Sequence, residues 1–156
     1  HAIVPFYGQG MNASFEDVTV FDTILDTCTG NWEEVFKEYQ KVRKTDTDAI
    51  ADLAIDNYYE MRDHVANPLF KKKRMLEMDL EKTFPNEYFS KYSMVTFNEN
   101  IPYAEAMKKG RAQDKALLNM VAHNDLNEIT DLNQVLKKVQ EETDEILEED
   151  KIAGLN

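Results

Sequence analysis

Two stretches of the 156-residue chain set polar side chains where chemistry could follow. The first is the opening segment, HAIVPFYGQGMNASFED, in which Gly8 and Gly10 flank Gln9 just ahead of a helical pattern. Glycine permits positive φ and removes a side chain, so a flat ligand can lie directly against such a backbone. The helix that follows turns its free N–H groups and the positive end of its dipole toward that ligand, which suits a group that becomes negative. Pro5, Phe6 and Tyr7 would form rigid apolar walls beside it. A Gly-x-Gly pair by itself is equally a plain turn. The second stretch is NYYEMRDHV, where Ile50, Leu53, Ala54, Tyr58, Met61 and Val65 form a helical stripe with Asn57 inside it. Glu60 and His64 follow Asn57 at i+3 and i+7, close to the same face. A buried Asn must find partners for a carbonyl and two N–H donors, or it costs about 1–3 kcal/mol. Two readings stand open: a core amide bonded to backbone or to Glu60, and a pocket wall that shows an amide and a carboxylate to a polar ligand.

Other chemistries are poorly served. His1, His64 and His123 are too scattered for a local zinc motif, and Cys28 stands alone. A di-iron bundle needs Glu three residues before each His, but Met61 and Met120 occupy those positions. There is no Gly-Lys-Ser/Thr phosphate loop and no Gly-x-Ser-x-Gly elbow. Cys28 lies on an apolar helical stripe and reads as packing rather than as a nucleophile. A single cysteine also excludes an internal disulfide framework and fits a reducing compartment. The 30 acidic against 18 basic residues give a net charge of −12, which argues against general affinity for nucleic acid or anionic lipid. The run EETDEILEED reads as a solvated face. No apolar run approaches the roughly 18 residues of a membrane span, and no signal-peptide pattern is present. A start at His1 is expected to be a truncation point.

The elements that must position these residues are helical. With 42% hydrophobic and 31% charged residues the chain is globular, the size of one domain, and its five glycines leave little room for tightly turned strands. Met11, Phe15, Val18, Phe21, Leu25 and Cys28 outline a first helix after Gly10. Asn31, with Glu34 three residues on, caps a second, whose stripe is Trp32, Val35, Phe36, Tyr39 and Val42. A third is expected from about Asp46 to Val65, and a fourth from Asn67–Pro68 to Pro85. NEYFSKYSMVTF is ambiguous between a short helix and an extended segment. Pro102 opens another helix with Tyr103, Ala106, Met107, Gly110, Leu117, Met120 and Val121 on one face. The last is expected from Asp125, with Glu128 three residues on and Leu126, Ile129, Leu132, Leu136, Val139 and Ile146 along it. That stripe either packs on its own domain or pairs with a partner helix.

Three motifs in order, HAIVPFYGQGMNASFED, NYYEMRDHV and YSMVTF, give the chain a specific resemblance to a known family from His1 to about Ala106. It resembles the aromatic-ring flavoprotein hydroxylases, and among them the kynurenine 3-monooxygenases. The resemblance implies a mainly α fragment, the helical C-terminal part of an α/β FAD-dependent hydroxylase with a Rossmann-like FAD domain and a substrate domain. Residues 1–30 would be the edge of the FAD domain, 31–110 a helical substrate-side region and 111–156 acidic C-terminal helices. The implied reaction converts L-kynurenine to 3-hydroxykynurenine with FAD, NADPH and O₂. By carry-over, Pro5, Gly8, Gln9, Gly10, Met11 and Asn12 line the flavin. Phe6, Tyr7, Asn57, Glu60, Met61 and Tyr92 face the substrate, with Asn57 and Tyr92 at its amino-acid end. No catalytic residue and no metal ligand are assigned. The family's Gly-x-Gly-x-x-Gly, its substrate-binding Arg and Tyr, and the Gly-Asp ahead of the opening motif are absent from this sequence. The chain alone is therefore expected neither to hold FAD tightly nor to turn over, and its partners are the N-terminal domains of the same protein and L-kynurenine. A soluble, cytoplasmic, bacterial enzyme without nucleic-acid or membrane partners is expected, its oligomeric state open. The alternatives are a sibling hydroxylase of another aromatic acid and a non-enzymatic acidic helical interaction module.

Overall fold

The computed structural model describes residues 3–28, 31–123 and 131–154, with His64 by its backbone alone. Among the described residues the chain is helical and carries no strand, the mainly α class expected of a helical part of a flavoprotein hydroxylase. It divides into two compact units, His1–Arg62 with Pro102–Ala104, and Asp63–Ile101 with Glu105–Asn156.

The first unit is built on α1 (Gly10–Thr27) and α2 (Trp32–Tyr59). Asn31 caps α2 as expected, its side chain accepting the Glu33 N–H at 3.2 Å. The helix then runs unbroken through RKTDTD, so the separate helix expected from Asp46 is the second half of α2. Nothing between Trp32 and Tyr59 is Gly or Pro, and the Thr47 hydroxyl donates back to the Arg43 carbonyl at 3.0 Å, so no local feature stops it. Asp46 instead accepts the Ala104 N–H at 2.9 Å, satisfying a donor at the start of the fifth helix.

The stripes read for α1 and for the start of α2 coincide only in part with the buried faces. Ala13 and Ile24 are buried on α1, while Met11, Phe15 and Val18 are exposed and Phe21, Leu25 and Cys28 half-buried. On α2, Val35, Ala49, Ile50, Leu53 and Ala54 are buried, and Trp32, Phe36 and Val42 are exposed. The rings form a partly exposed cluster: Phe21 lies 6.2 Å from Phe36 and edge-on to Tyr39 at 5.4 Å, and Trp32 lies 5.9 Å from Phe36. Spacing identifies apolar stripes, but where a helix carries two it does not say which meets its neighbour.

In the second unit, α3 (Pro68–Thr83) begins as expected. Asn67 accepts the Leu69 N–H at 2.9 Å, and Pro68 occupies the first turn, where a missing N–H costs nothing. The ambiguous aromatic stretch resolves into buried Tyr88 followed by a short helix, α4 (Lys91–Phe97), whose cap Ser90 accepts the Ser93 N–H at 3.2 Å. Then come α5 (Tyr103–Ala122) and α6 (Leu132–Ile152). The expected inner face of α5 is buried at Tyr103, Ala106, Gly110, Leu117, Met120 and Val121. Asp131 caps α6 through the Asn133 N–H at 3.0 Å. The start read at Asp125, with Leu126, Glu128 and Ile129, lies outside the described residues. Leu136 and Val139 pack with Leu76, Leu80, Tyr88, Leu117 and Met120, so this stretch of the stripe is spent on the core of its own unit.

Candidate functional site

The opening segment forms a turn before α1, and its two glycines differ. Gly8 takes φ +75°, the left-handed region that favours glycine, and a Cβ there would meet nothing within 4 Å. Gly10 is the first residue of α1 and has no positive φ; a Cβ there would touch only Ile3 at 4.0 Å. The positive φ anticipated at Gly10 is therefore absent, because the helix has already begun. No side chain caps α1. Buried Gln9 holds the exposed Asn12 instead, through Asn12 Nδ2 and Gln9 Oε1 at 2.7 Å. Met11 is exposed, as is Pro5, whereas Tyr7 is buried beside Gln9. The loop thus shows open backbone at Gly8 next to a helix start whose N-cap residue, Gln9, makes no side-chain cap bond.

Asn57 closes the same unit from α2. It is half-buried, and its Nδ2 donates to the Phe6 carbonyl and approaches the Met61 sulfur at 3.8 Å. The expectation of a buried amide is corrected to a half-buried one, with its donor side tied to the loop. Phe6 in turn packs on Tyr58 at 4.7 Å, and the Arg62 guanidinium lies over the Tyr58 and Tyr59 rings at 5.2 and 4.9 Å. Arg62 was not anticipated; its position four residues after Tyr58 in NYYEMRDHV was the available signal.

Glu60 and Met61 open a π-helical turn, Glu60–His64. Such turns widen the helix locally and recur at functional sites. The widening also shifts the register after Asn57, so Met61 and Val65, expected on the inward stripe, are both 58% exposed. Glu60 is half-buried.

Tyr92 belongs to the second unit, on α4, half-exposed and edge-on to Phe97 at 6.2 Å. Lys91 of that helix joins a row of charges, Asp114, Lys73 and Glu77 buried or half-buried and Arg74 exposed, that was invisible in the sequence. Lys91 Nζ is 2.8 Å from Asp114, and Asp114 also takes Lys73, whose ammonium is 3.3 Å from Glu77, itself 2.6 Å from Arg74. Burial works to raise the Asp114 carboxyl, but the Lys91 and Lys73 ammoniums outweigh it and hold it below the usual carboxylate range. The Tyr88 hydroxyl is pushed strongly up, first by burial and then by the negative charges of Glu77 and Asp114.

Among the described residues no cluster of His, Cys, Asp and Glu could hold a metal ion. An open depression of about 460 Å³ in the second unit is lined by Lys115, Asn119, His123, Glu142, Glu145, Ile146 and Glu149. It includes none of the anticipated site residues, and its three glutamates would repel an anionic aromatic acid. No helix among the described residues is long and apolar enough to cross a membrane.

Compared with curated proteins, the chain is related to monooxygenases. The relatives are kynurenine 3-monooxygenases. That of Candida albicans is 44% identical over 120 residues, 77% of this chain and 26% of the relative. That of Myxococcus xanthus is 46% identical over 114 residues, 73% and 24% respectively. That of Dictyostelium discoideum is 42% identical over 148 residues, 87% and 32%. The resemblance carried by the three motifs is thereby borne out, and the chain spans about a quarter to a third of the length of these relatives. No family model matches the chain.

Proposed function

We propose that the chain is the C-terminal, substrate-side part of an FAD- and NADPH-dependent monooxygenase that hydroxylates L-kynurenine to 3-hydroxykynurenine. The observation that carries this reading is identity above 40% to kynurenine 3-monooxygenases of a fungus, a bacterium and an amoeba over most of the chain.

The loop fits a flat cofactor that gains negative charge. The backbone at Gly8 is unobstructed, and the N-cap residue Gln9 makes no side-chain cap bond, so the positive end of the α1 dipole suits a ligand that gains negative charge. Pro5, Gly8, Gln9, Gly10, Met11 and Asn12 would line one edge of FAD, which when bound supplies the redox chemistry that activates O₂. This chain's own residues bind and orient. Gln9 fixes Asn12, the apolar walls of Phe6 and Tyr7 exclude water, and Asn57 holds the loop through the Phe6 carbonyl. Asn57, Glu60, Met61 and Tyr92 are assigned to the substrate side. Residues 1–30 then form the edge of the FAD domain, and 31–110 and 111–156 the substrate-side and acidic helical regions of a cytoplasmic enzyme. The interaction-module alternative loses ground, because the core claims Leu136 and Val139 of its proposed docking stripe.

The test is to purify the intact protein containing this chain and record its flavin spectrum. NADPH oxidation is then followed with and without L-kynurenine, and 3-hydroxykynurenine is assayed. Stimulated oxidation with matching product is expected. A yellow protein indifferent to kynurenine would move the substrate to another aromatic acid, and a colourless one would refute the flavoprotein reading. The isolated chain is expected to bind FAD weakly and to be inactive; stoichiometric quenching of flavin fluorescence would overturn that.

A further inference from the structure

The short helix α4 has seven residues, far fewer than the roughly 12–15 at which an isolated helix becomes even marginally stable, so its position must be imposed from outside. Its first residue, Lys91, is gripped twice by one face of α5. A Cβ at Gly110 would lie 2.6 Å from Lys91 Cβ and Cγ and 3.1 Å from its Cα, so only glycine lets the α4 backbone come this close. One turn along α5, Asp114 takes the Lys91 ammonium at 2.8 Å. Asp114 is itself held by Lys73 of α3, which is 3% exposed and joined to Glu77. At the helix start, the Ser90 N–H donates to Glu81 of α3 at 2.8 Å.

A row of buried charges is a poor device for stability alone, since apolar side chains of like volume often stabilise as well or better. Its ion pairs have definite partners and directions, which fix a geometry that an apolar contact leaves free to slide. Tyr92, the next residue after Lys91, is the group whose placement this geometry sets.

We propose that Gly110 and Asp114 are positioning residues for substrate recognition: by clamping Lys91 they fix the height and rotation of α4 and so aim Tyr92 at the amino-acid end of the aromatic substrate. This rests on the proposed function, in which Tyr92 touches that substrate. The intact flavoprotein decides it, with Tyr92→Phe, Asp114→Asn, Gly110→Ala and the combinations with Tyr92→Phe. The readouts are FAD occupancy, KM for L-kynurenine and kcat.

Tyr92→Phe and Asp114→Asn are each expected to raise KM about tenfold with FAD occupancy kept and kcat within about twofold. The double variant should be no worse than Tyr92→Phe alone, because the clamp acts through Tyr92. Asp114→Glu, which restores the ion pair, should recover most of the affinity. Multiplying effects in the double variant, or Asp114→Asn without effect on KM while Tyr92→Phe raises it, would overturn the clamp and leave the function standing. No KM change from Tyr92→Phe would instead remove Tyr92 from the substrate side, and the clamp's role in recognition with it. Should Asp114→Asn fail to fold, Gly110→Ala is judged by the same criteria.

Discussion

Arg43 offers the sharpest test of how the first unit is held. Its side chain is 6% exposed and reaches from α2 to α1, with Nε 2.8 Å from Asp17 and Nη1 3.3 Å from Glu16. Burial opposes its charge, but the hydrogen bond and charge of Asp17, with Glu16 behind it, raise its pKa further. Replacing Arg43 by Met keeps the volume and strands Asp17, whose side chain is only 14% exposed. Breaking a buried pair in this way costs about 3–5 kcal/mol. Glu16, 49% exposed, rehydrates, and its share is that of a surface pair, about 0–1 kcal/mol. A loss near the lower limit, about 3 kcal/mol, is expected. Trp32, the single tryptophan, sits at the start of α2, so urea unfolding followed by its fluorescence reports on this unit. With a denaturant slope of about 1–2 kcal/mol/M the midpoint should fall by roughly 1.5–3 M. Glu16→Gln should shift it far less. A fall below about 0.5 M for Arg43→Met, or equal losses for the two variants, would refute the assignment of Arg43–Asp17 as the principal polar tie between the helices.

Gly8→Ala should cost about 1–2 kcal/mol in the same urea assay, because φ is +75° there, whereas Gly10→Ala, in helical backbone with open space, should cost nothing measurable. Asn67→Ala removes the cap on the Leu69 N–H and should lower stability by about 1 kcal/mol, read as a drop in the thermal midpoint of helical circular dichroism. Because the Asp114 carboxyl is held below its unfolded value of about 3.9, its contribution is fully present above that pH and is lost as pH falls through the lower folded value. An acid titration of helicity should therefore show a component setting in below about pH 4 that Asp114→Asn lacks. Asn57→Asp, which cannot donate to the Phe6 carbonyl, should destabilise the intact protein more than Asn57→Ala, measured as the thermal midpoint.

Helix starts were legible where a side chain carries the signal by itself. Asn31 and Asn67 cap as their positions imply, and Pro68 opens α3. Stops were less legible: the continuity of α2 through Asp46 depends on the absence of a breaker, and Asp46, a plausible start residue, is recruited by Ala104, 58 positions away. Burial in the first unit was least legible of all. Arg43 is buried while Trp32 and Phe36 are exposed, because α1 and α2 are joined by Arg43 bonded to Asp17, Glu16 and the Ala13 carbonyl as well as by the partly exposed rings of Phe21, Phe36 and Tyr39. The Lys73–Asp114–Lys91 row could not be read either. Its members lie on three helices, and nothing in the local pattern marks a lysine as inward-facing when its neighbours Lys71 and Lys72 are exposed.

Asn57 shows how the two open readings of one residue can describe the same arrangement. Read as a core amide it needed a backbone partner, and it has one in the Phe6 carbonyl, 51 residues earlier. Read as a pocket wall it needed a reason to face the glycine loop, and the same bond supplies it. The amide has one carbonyl and two N–H donors on Nδ2, and the Phe6 bond draws on the donor side alone. The π-helical turn that begins at Glu60 follows within one turn of this anchor, and it carries Met61 outward from the stripe on which an uninterrupted α-helix would have placed it. The break in helical register thus lies beside the amide that ties the opening loop to α2.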